Sequence, residues 1–265
     1  MKKNITQTKR VLTKKKPEKR LLLRLKKRAG RARSGRITVR HRGGGVKRLY
    51  RIVSFKQEKK DILAKVIALE YDPYRTAYLM LLEYSDGKRA YRLAPHGIKV
   101  GGEVIVSEKA EAKIGNRSKL RNIPIGTDVF NIELKPGKGG QIVRAAGTSA
   151  LVLSHEAKYT LLKMPSKEIR KVLSQCFATV GQVSHTEHKY EKLRKAGQVR
   201  LKGRRPQVRG TVMSPRAHPH GGGEGKTPIG LPYPKTPWGK QAIGGKTRRR
   251  KWTDKYIIKK RPRRS

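Results

Sequence analysis

The chain has 265 residues, enough for one large domain or two small ones with tails that need not pack. Lys and Arg number 67 against 18 Asp and Glu, and a compact body carrying the resulting +49 alone would repel itself. No apolar run approaches the ~20 residues of a membrane span, no basic amphipathic anchor is present, and Arg24 interrupts Leu21-Leu22-Leu23 before it can serve as a signal core. A soluble, non-secreted chain with a polyanionic partner is therefore expected, and nucleic acid suits this better than an anionic membrane.

Cys176 is the single cysteine, which rules out an intramolecular disulfide and reads as a buried, inert thiol in a reducing compartment. The charge is unevenly spread. Residues 1–60 hold 24 Lys and Arg and 2 acids, residues 61–190 hold 20 and 13, and residues 191–265 hold 23 and 3. The middle balances like a globular domain, and the flanks resemble basic extensions that order on a polyanion.

Along the chain, Lys47 to Phe55 alternates basic with apolar, predicting a strand with one core face and one cationic face. Strands are next predicted at Ile62 to Tyr71, Ala77 to Tyr84, Lys88 to Leu93 and Glu103 to Ser107. Ser85-Asp86-Gly87 joins two of them as a tight hairpin, because the turn needs positive φ. Five or six strands with almost no helix over residues 35–108 suit a small closed barrel.

After the join Asn122-Ile123-Pro124-Ile125-Gly126, a second group of short strands is predicted. Its members are Asp128 to Leu134, Gln141 to Ala145, Ser149 to His155, Tyr159 to Lys163, Glu168 to Val172 and Ala178 to Val183. They imply a second small barrel, with Lys135-Pro136-Gly137-Lys138-Gly139-Gly140 as a flexible basic loop. Glu187 to Lys195 reads as the one helix, ended by Gly197. Beyond Lys202, Gly, Pro, Arg and Lys dominate and strand alternation stops.

Two segments come close to a phosphate-binding loop. In His220-Gly221-Gly222-Gly223-Glu224-Gly225-Lys226-Thr227 a histidine stands where the first glycine belongs, and Pro228 and Pro232 forbid a regular helix behind it. Gly245-Lys246-Thr247 runs into the charge cluster Arg248-Arg249-Arg250. The histidines His185, His188, His218 and His220 and the lone Cys176 fall short of a zinc set, and no acid pair suggests hydrolysis, so no enzyme and no small-molecule substrate are expected.

The glycine clusters Gly43-Gly44-Gly45 and Gly221-Gly222-Gly223 read either as flexible loops or as backbone able to lie against a sugar-phosphate surface. Arg36, Arg40, His41, Arg42, Lys47, Arg48 and Arg51 beside the first cluster favour RNA contact. Lys135, Lys138 and Arg144 in the middle, and Arg204, Arg205, Arg209, Lys226 and Arg248 to Arg250 in the tail, extend that cationic set. Aromatics make up only 6% of residues, which argues against a reader that stacks successive bases and for a folded RNA recognised by phosphate, 2′-hydroxyl and shape. Trp238, in Thr236-Pro237-Trp238-Gly239, can either stack on a base or pack on the body.

Several motifs carry a specific resemblance: Gly35-Arg36-Ile37-Thr38-Val39-Arg40-His41-Arg42-Gly43-Gly44-Gly45, Leu69-Glu70-Tyr71-Asp72-Pro73, Arg121-Asn122-Ile123-Pro124-Ile125-Gly126, Lys135 to Gln141, and Val208 to Met213 leading into His218-Pro219-His220-Gly221-Gly222-Gly223. From about Gly30 onward the chain resembles the universal family of large-subunit ribosomal protein two. The resemblance implies an all-β fold: a basic extension over 1–34, an oligonucleotide-binding barrel over 35–121, an SH3-like barrel over 122–197 and a basic RNA-binding tail over 198–265. It further implies binding to the large ribosomal RNA, a role in joining the small subunit, contact with neighbouring ribosomal proteins, and no cofactor beyond magnesium at the RNA interface. His218 matches the histidine linked to peptidyl transfer, with His220 beside it, and a positioning role is expected of it. Two departures stand out: Ala217 replaces the acid common before that histidine, and Met1 to Arg20 lacks the usual opening. A bacterial cytoplasm is the expected setting, with a plastid or mitochondrial ribosome as the alternative.

Overall fold

The computed structural model describes residues 11–56, 59–246 and 248–262. Residues 1–10 of the expected N-terminal extension, and Thr247 of the second near-miss phosphate motif, lie outside them. Two compact units result: the described parts of Met1–Leu25, Arg48–Lys192 and Thr253–Ser265 form the first, and those of Lys26–Lys47 and Leu193–Trp252 the second.

All named strands lie in the first unit. β1 (Leu22–Leu23) and β2 (Tyr50–Arg51) make a short ribbon. β3 (Ala64–Glu70), β4 (Leu79–Tyr84), β5 (Arg89–Leu93) and β6 (Glu103–Val104) form an antiparallel sheet in the order β5-β4-β3-β6. β7 (Arg117–Lys119), β8 (Asp128–Phe130), β9 (Ala150–His155), β10 (Tyr159–Lys163), β11 (Ile169–Leu173), β12 (Phe177–Val180) and β13 (Ile257–Lys259) form a second, ordered β13-β11-β10-β9-β8-β12-β7. Register shifts at Val66/Ala68 and Leu161/Leu162 help the sheets curl. The fold is all-β with two barrel-like sheets, as the strand spacing implied.

β4 shows why this sequence folds here. Its run Leu79-Met80-Leu81-Leu82 is apolar without alternation because both of its faces are covered. Tyr78, Met80, Leu82 and Tyr84 pack with Val66, Leu69 and Val104 on one side. Leu79 and Leu81 pack with Tyr91, Leu93, Phe130 and Val183 on the other. Each fully buried leucine contributes about 1.5–3 kcal/mol. The hairpin to β5 closes as expected: Gly87 takes φ 71°, Tyr84 N–H bonds the Lys88 carbonyl at 3.0 Å, and Lys88 N–H bonds Asp86 Oδ1 at 3.2 Å.

A second core lies inside the seven-stranded sheet around Leu120, Val129, Ile132, Val152, Leu162 and Cys176, the thiol being buried and pushed up to about 12 mainly by desolvation. Beside it Arg117 is buried, donating to the Asn131 carbonyl (2.6 Å) and Thr179 Oγ1 (3.1 Å), with Glu133 Oε1 3.8 Å from its guanidinium. Burial, only partly offset by Glu133, lowers the Arg117 pKa to about 10. Glu133 also accepts Gly139 N–H at 2.7 Å and Phe177 N–H at 3.0 Å, so one buried carboxylate ties β12 to the basic loop.

Three expectations are corrected. Glu187 to Lys195 is not an α-helix: Thr186–Tyr190 forms a 3-10 turn after His185 at φ 62°, and the short helix α1 (Ala196–Leu201) begins after extended Lys195 and contains Gly197. Lys47 to Phe55 yields only the two residues of β2, with Leu49 and Ile52 exposed and Arg48 and Arg51 donating to the carbonyls of Pro73 and Leu49. The tail beyond Lys202 contributes a strand after all, β13, paired to β11. Removing the Glu133 carboxylate by Glu133→Ala is expected to destabilise the first unit by about 3–5 kcal/mol, since it strands a buried guanidinium. Denaturant unfolding measures this, and a loss below about 1 kcal/mol would show that Arg117 has other compensation.

Candidate nucleic-acid interface

In the second unit the first glycine cluster is an arch held by the chain itself. Gly43 N–H bonds the Gly203 carbonyl (3.1 Å), Arg205 N–H bonds the His41 carbonyl (3.0 Å), and Val46 N–H bonds the Leu201 carbonyl (3.0 Å), bringing Arg42 opposite Arg204. Gly45 has φ 81°, and a Cβ there would lie 2.9 Å from Gly203 and from the Leu201 carbonyl oxygen. Gly45 is thus required by protein, whereas Gly44 (φ 65°) faces open space. Arg36, Arg40, Arg42, Lys47, Arg204, Arg205 and Arg209 are all exposed, and His41 is half-buried with φ 57°. Lys27 Nζ donates to the Gly45 carbonyl at 2.9 Å, drawing one more cation to the arch.

The second cluster behaves alike. A Cβ on Gly221 would meet the Ser214 carbonyl oxygen at 2.3 Å, and Gly222 N–H bonds the Met213 carbonyl at 3.1 Å, so these glycines fold back on the turn before them. Gly223 (φ 84°) sits against Thr227, and Lys226 is exposed. Among the described residues no helix follows Lys226 until the 3-10 turn Lys251–Tyr256, so the phosphate-loop geometry is absent. His218, only 8% exposed, lies in the turn with His220 beside it, ring centroids 4.6 Å apart. The His220 pKa is lowered, chiefly by desolvation and then by His218 and Lys235.

Trp238 is 74% exposed at the tip of a turn closed by Thr236 N–H on the Lys240 carbonyl (2.7 Å), so it does not pack on its own unit. Arg248, Arg249 and Arg250 are exposed behind it, and Trp252, which sequence reading passed over, is 69% exposed.

In the first unit, the tip Lys135 to Lys138 is exposed while Gly139 and Gly140 are buried. Gly140 N–H bonds the Phe55 carbonyl (3.0 Å), and a Cβ on Gly140 would lie 1.9 Å from Asn131 Oδ1. The loop expected to be flexible is thus clamped at its base, and its lysines are presented on a fixed stem. Arg48, Arg51 and Arg144 are bound to the chain's own carbonyls, those of Pro73, Leu49 and Gly140, and exposed Arg144 also sits 4.7 Å from the Phe55 ring centre. Next to the loop runs an open groove of about 390 Å³, lined by Lys56, Lys60, Lys119, Glu108, Gln175 and Phe177. Glu108 is held below the usual carboxylate range, first by its hydrogen bond from Lys119. These lysines come from two separate segments and the rest of the lining from others, which leaves no linear motif to find.

Among the described residues no group of three His, Cys, Asp or Glu could hold a metal ion, and no helix is long and apolar enough to cross a membrane. Cationic side chains on fixed backbone, with exposed indoles, suit a polyanion bearing bases. Two family models match the chain: that described as Ribosomal Proteins L2, RNA binding N-terminal domain, over residues 18–107, and that described as Ribosomal Proteins L2, C-terminal domain, over residues 113–239.

Gly45→Ala is expected to open the arch, while Gly197→Ala, with open space around it in α1, is expected to be neutral or slightly stabilising. Amide exchange at Gly43 and Val46 reads the difference. Equal protection in both variants would show that close approach at Gly45 does not hold the arch.

Proposed function

The chain belongs to the ribosomal protein L2 family and is thus a structural, RNA-binding constituent of the ribosome and not an enzyme, and from that premise we propose that it is a primary binder of the large ribosomal RNA. The observation that carries this reading is the partition of charge: a first unit that holds every acid but one, and a second unit whose single acid is Glu224 and whose arginines and lysines, half-buried Lys235 apart, are exposed on backbone pinned to itself. Each such cation that meets a phosphate releases a condensed counterion, so many together give tight, salt-sensitive binding.

The same reading extends to contact with the small subunit and with neighbouring ribosomal proteins, and to a part in shaping the peptidyl transferase region through the His218–His220 turn. RNA performs the chemistry there and His218 positions it. No cofactor is needed; magnesium ions would bridge phosphates at the interface. A bacterial cytoplasmic ribosome is the proposed setting, with an organellar ribosome as the alternative. The cations proposed for RNA are Arg36, Arg40, Arg42, Lys47, Arg204, Arg205 and Arg209 at the arch, Lys135 and Lys138 at the loop tip, and Lys226 and Arg248 to Arg250 in the tail.

Sucrose-gradient sedimentation tests the whole proposal: the protein is expected to run with large subunits at moderate salt, and free sedimentation would overturn it. Arg42→Ala and Lys138→Ala are each expected to lower the salt slope of RNA binding by about one phosphate contact, and unchanged slopes would remove those side chains from the phosphate set. Trp238→Ala is expected to weaken binding by about 1–3 kcal/mol if the exposed indole stacks on a base. Unaltered affinity would leave it a bystander. His218→Ala is expected to leave RNA affinity nearly intact, since it removes one contact among many, while impairing subunit activity; loss of binding would instead make it a structural contact.

A further inference from the structure

His218 is the one buried residue among the described residues of the second unit. A unit so rich in cations has buried an imidazole, and its contacts say in which form. His220 N–H donates to His218 Nδ1 at 3.0 Å, and Lys235 N–H donates to His220 Nε2 at 2.9 Å. A backbone N–H can only donate, so both ring nitrogens must carry lone pairs. The rings pack at 4.6 Å and 54°, and Gly210 leaves room for His218, since a Cβ there would lie 2.5 Å from its ring. The His218 carbonyl accepts Gly221 N–H at 2.8 Å, which fixes the turn that aims the ring.

Resting on the proposed place of this turn near peptide transfer, we infer that His218 and His220 are neutral imidazoles of opposite tautomer, Nε2–H on His218 and Nδ1–H on His220. The pair offers two fixed N–H donors to oxygen acceptors of RNA, phosphate or 2′-hydroxyl, and no free ring nitrogen to take up a proton. The lowered pKa of His220 agrees with a neutral ring. Orientation that an acid before the first histidine would supply is here supplied by the chain's own His220 N–H, Ala217 standing in the acid's place. His218 is a positioning residue in this scheme.

Long-range proton–nitrogen correlation on the full chain labelled with ¹⁵N-histidine reads the tautomers without RNA. Expected are an unprotonated Nδ1 on His218 and an unprotonated Nε2 on His220, each with its partner nitrogen protonated. An imidazolium on either ring, reversed tautomers or rapid averaging overturns the inference. Large subunits reconstituted with H218N and H218Q test the outward donor by peptide-bond formation. Gln can extend an N–H toward the Nε2 position and Asn cannot, so H218Q should exceed H218N by roughly tenfold, the worth of one hydrogen bond to a charged acceptor. Equal loss in both overturns the donor role. Full activity in H218A would instead remove the reading of the turn as part of the peptidyl transferase region, while the tautomers stand or fall on the isolated chain.

Discussion

A net charge of +49 on 265 residues is the constraint around which the rest of this structure is arranged. Self-repulsion of that size works against any compact state, and the chain handles it by segregation. Among the described residues three acids are buried, each with a partner. Glu133 sits against Arg117 and holds two main-chain N–H groups, Asp72 is buried with Arg75, and Glu70 accepts from Tyr91 Oη at 2.8 Å. The remaining positive excess is pushed outward onto loops and onto the second unit, which has almost no interior.

This division explains a double use of glycine. Gly45, Gly140 and Gly221 are required because the chain's own backbone or side chains press against them, at distances no Cβ would tolerate. By pinning the backbone this way, the chain holds Arg42, Lys138 and the histidine turn in place before any partner arrives. Binding then loses less conformational entropy, since the cations ride on settled main chain. Gly44, with open space around it, is where close approach by a sugar-phosphate surface remains available.

Much of the fold was legible in the sequence, and the failures have physical causes. The β4–β5 hairpin was readable because Asp86-Gly87 demands positive φ and apolar runs flank it. β10 was found within its bounds because Tyr159 to Lys163 is bracketed by turns. The helix expected over Glu187 to Lys195 failed because tertiary contacts won: His185 stacks on Tyr78 at 4.5 Å in a left-handed backbone conformation, which bends the chain into a 3-10 turn. β13 was invisible because Ile257-Ile258-Lys259 gains strand character only by pairing with β11. The cationic residues were legible by composition, but which of them bond the chain's own carbonyls was not. Arg48, Arg51 and Arg144 look like their neighbours in sequence and differ only in having carbonyls or a ring nearby. The lysine groove was hidden because it is assembled from distant segments.

Two opposite salt dependences should follow from one cause. Screening weakens repulsion within the free chain and weakens attraction to phosphate. Thermal unfolding of the full chain at rising ionic strength, alone and with the large ribosomal RNA, measures both at once. The midpoint of the free protein is predicted to rise with salt while that of the complex falls toward it. A free-chain midpoint that is flat or falls with salt would contradict the claim that uncompensated charge governs this fold.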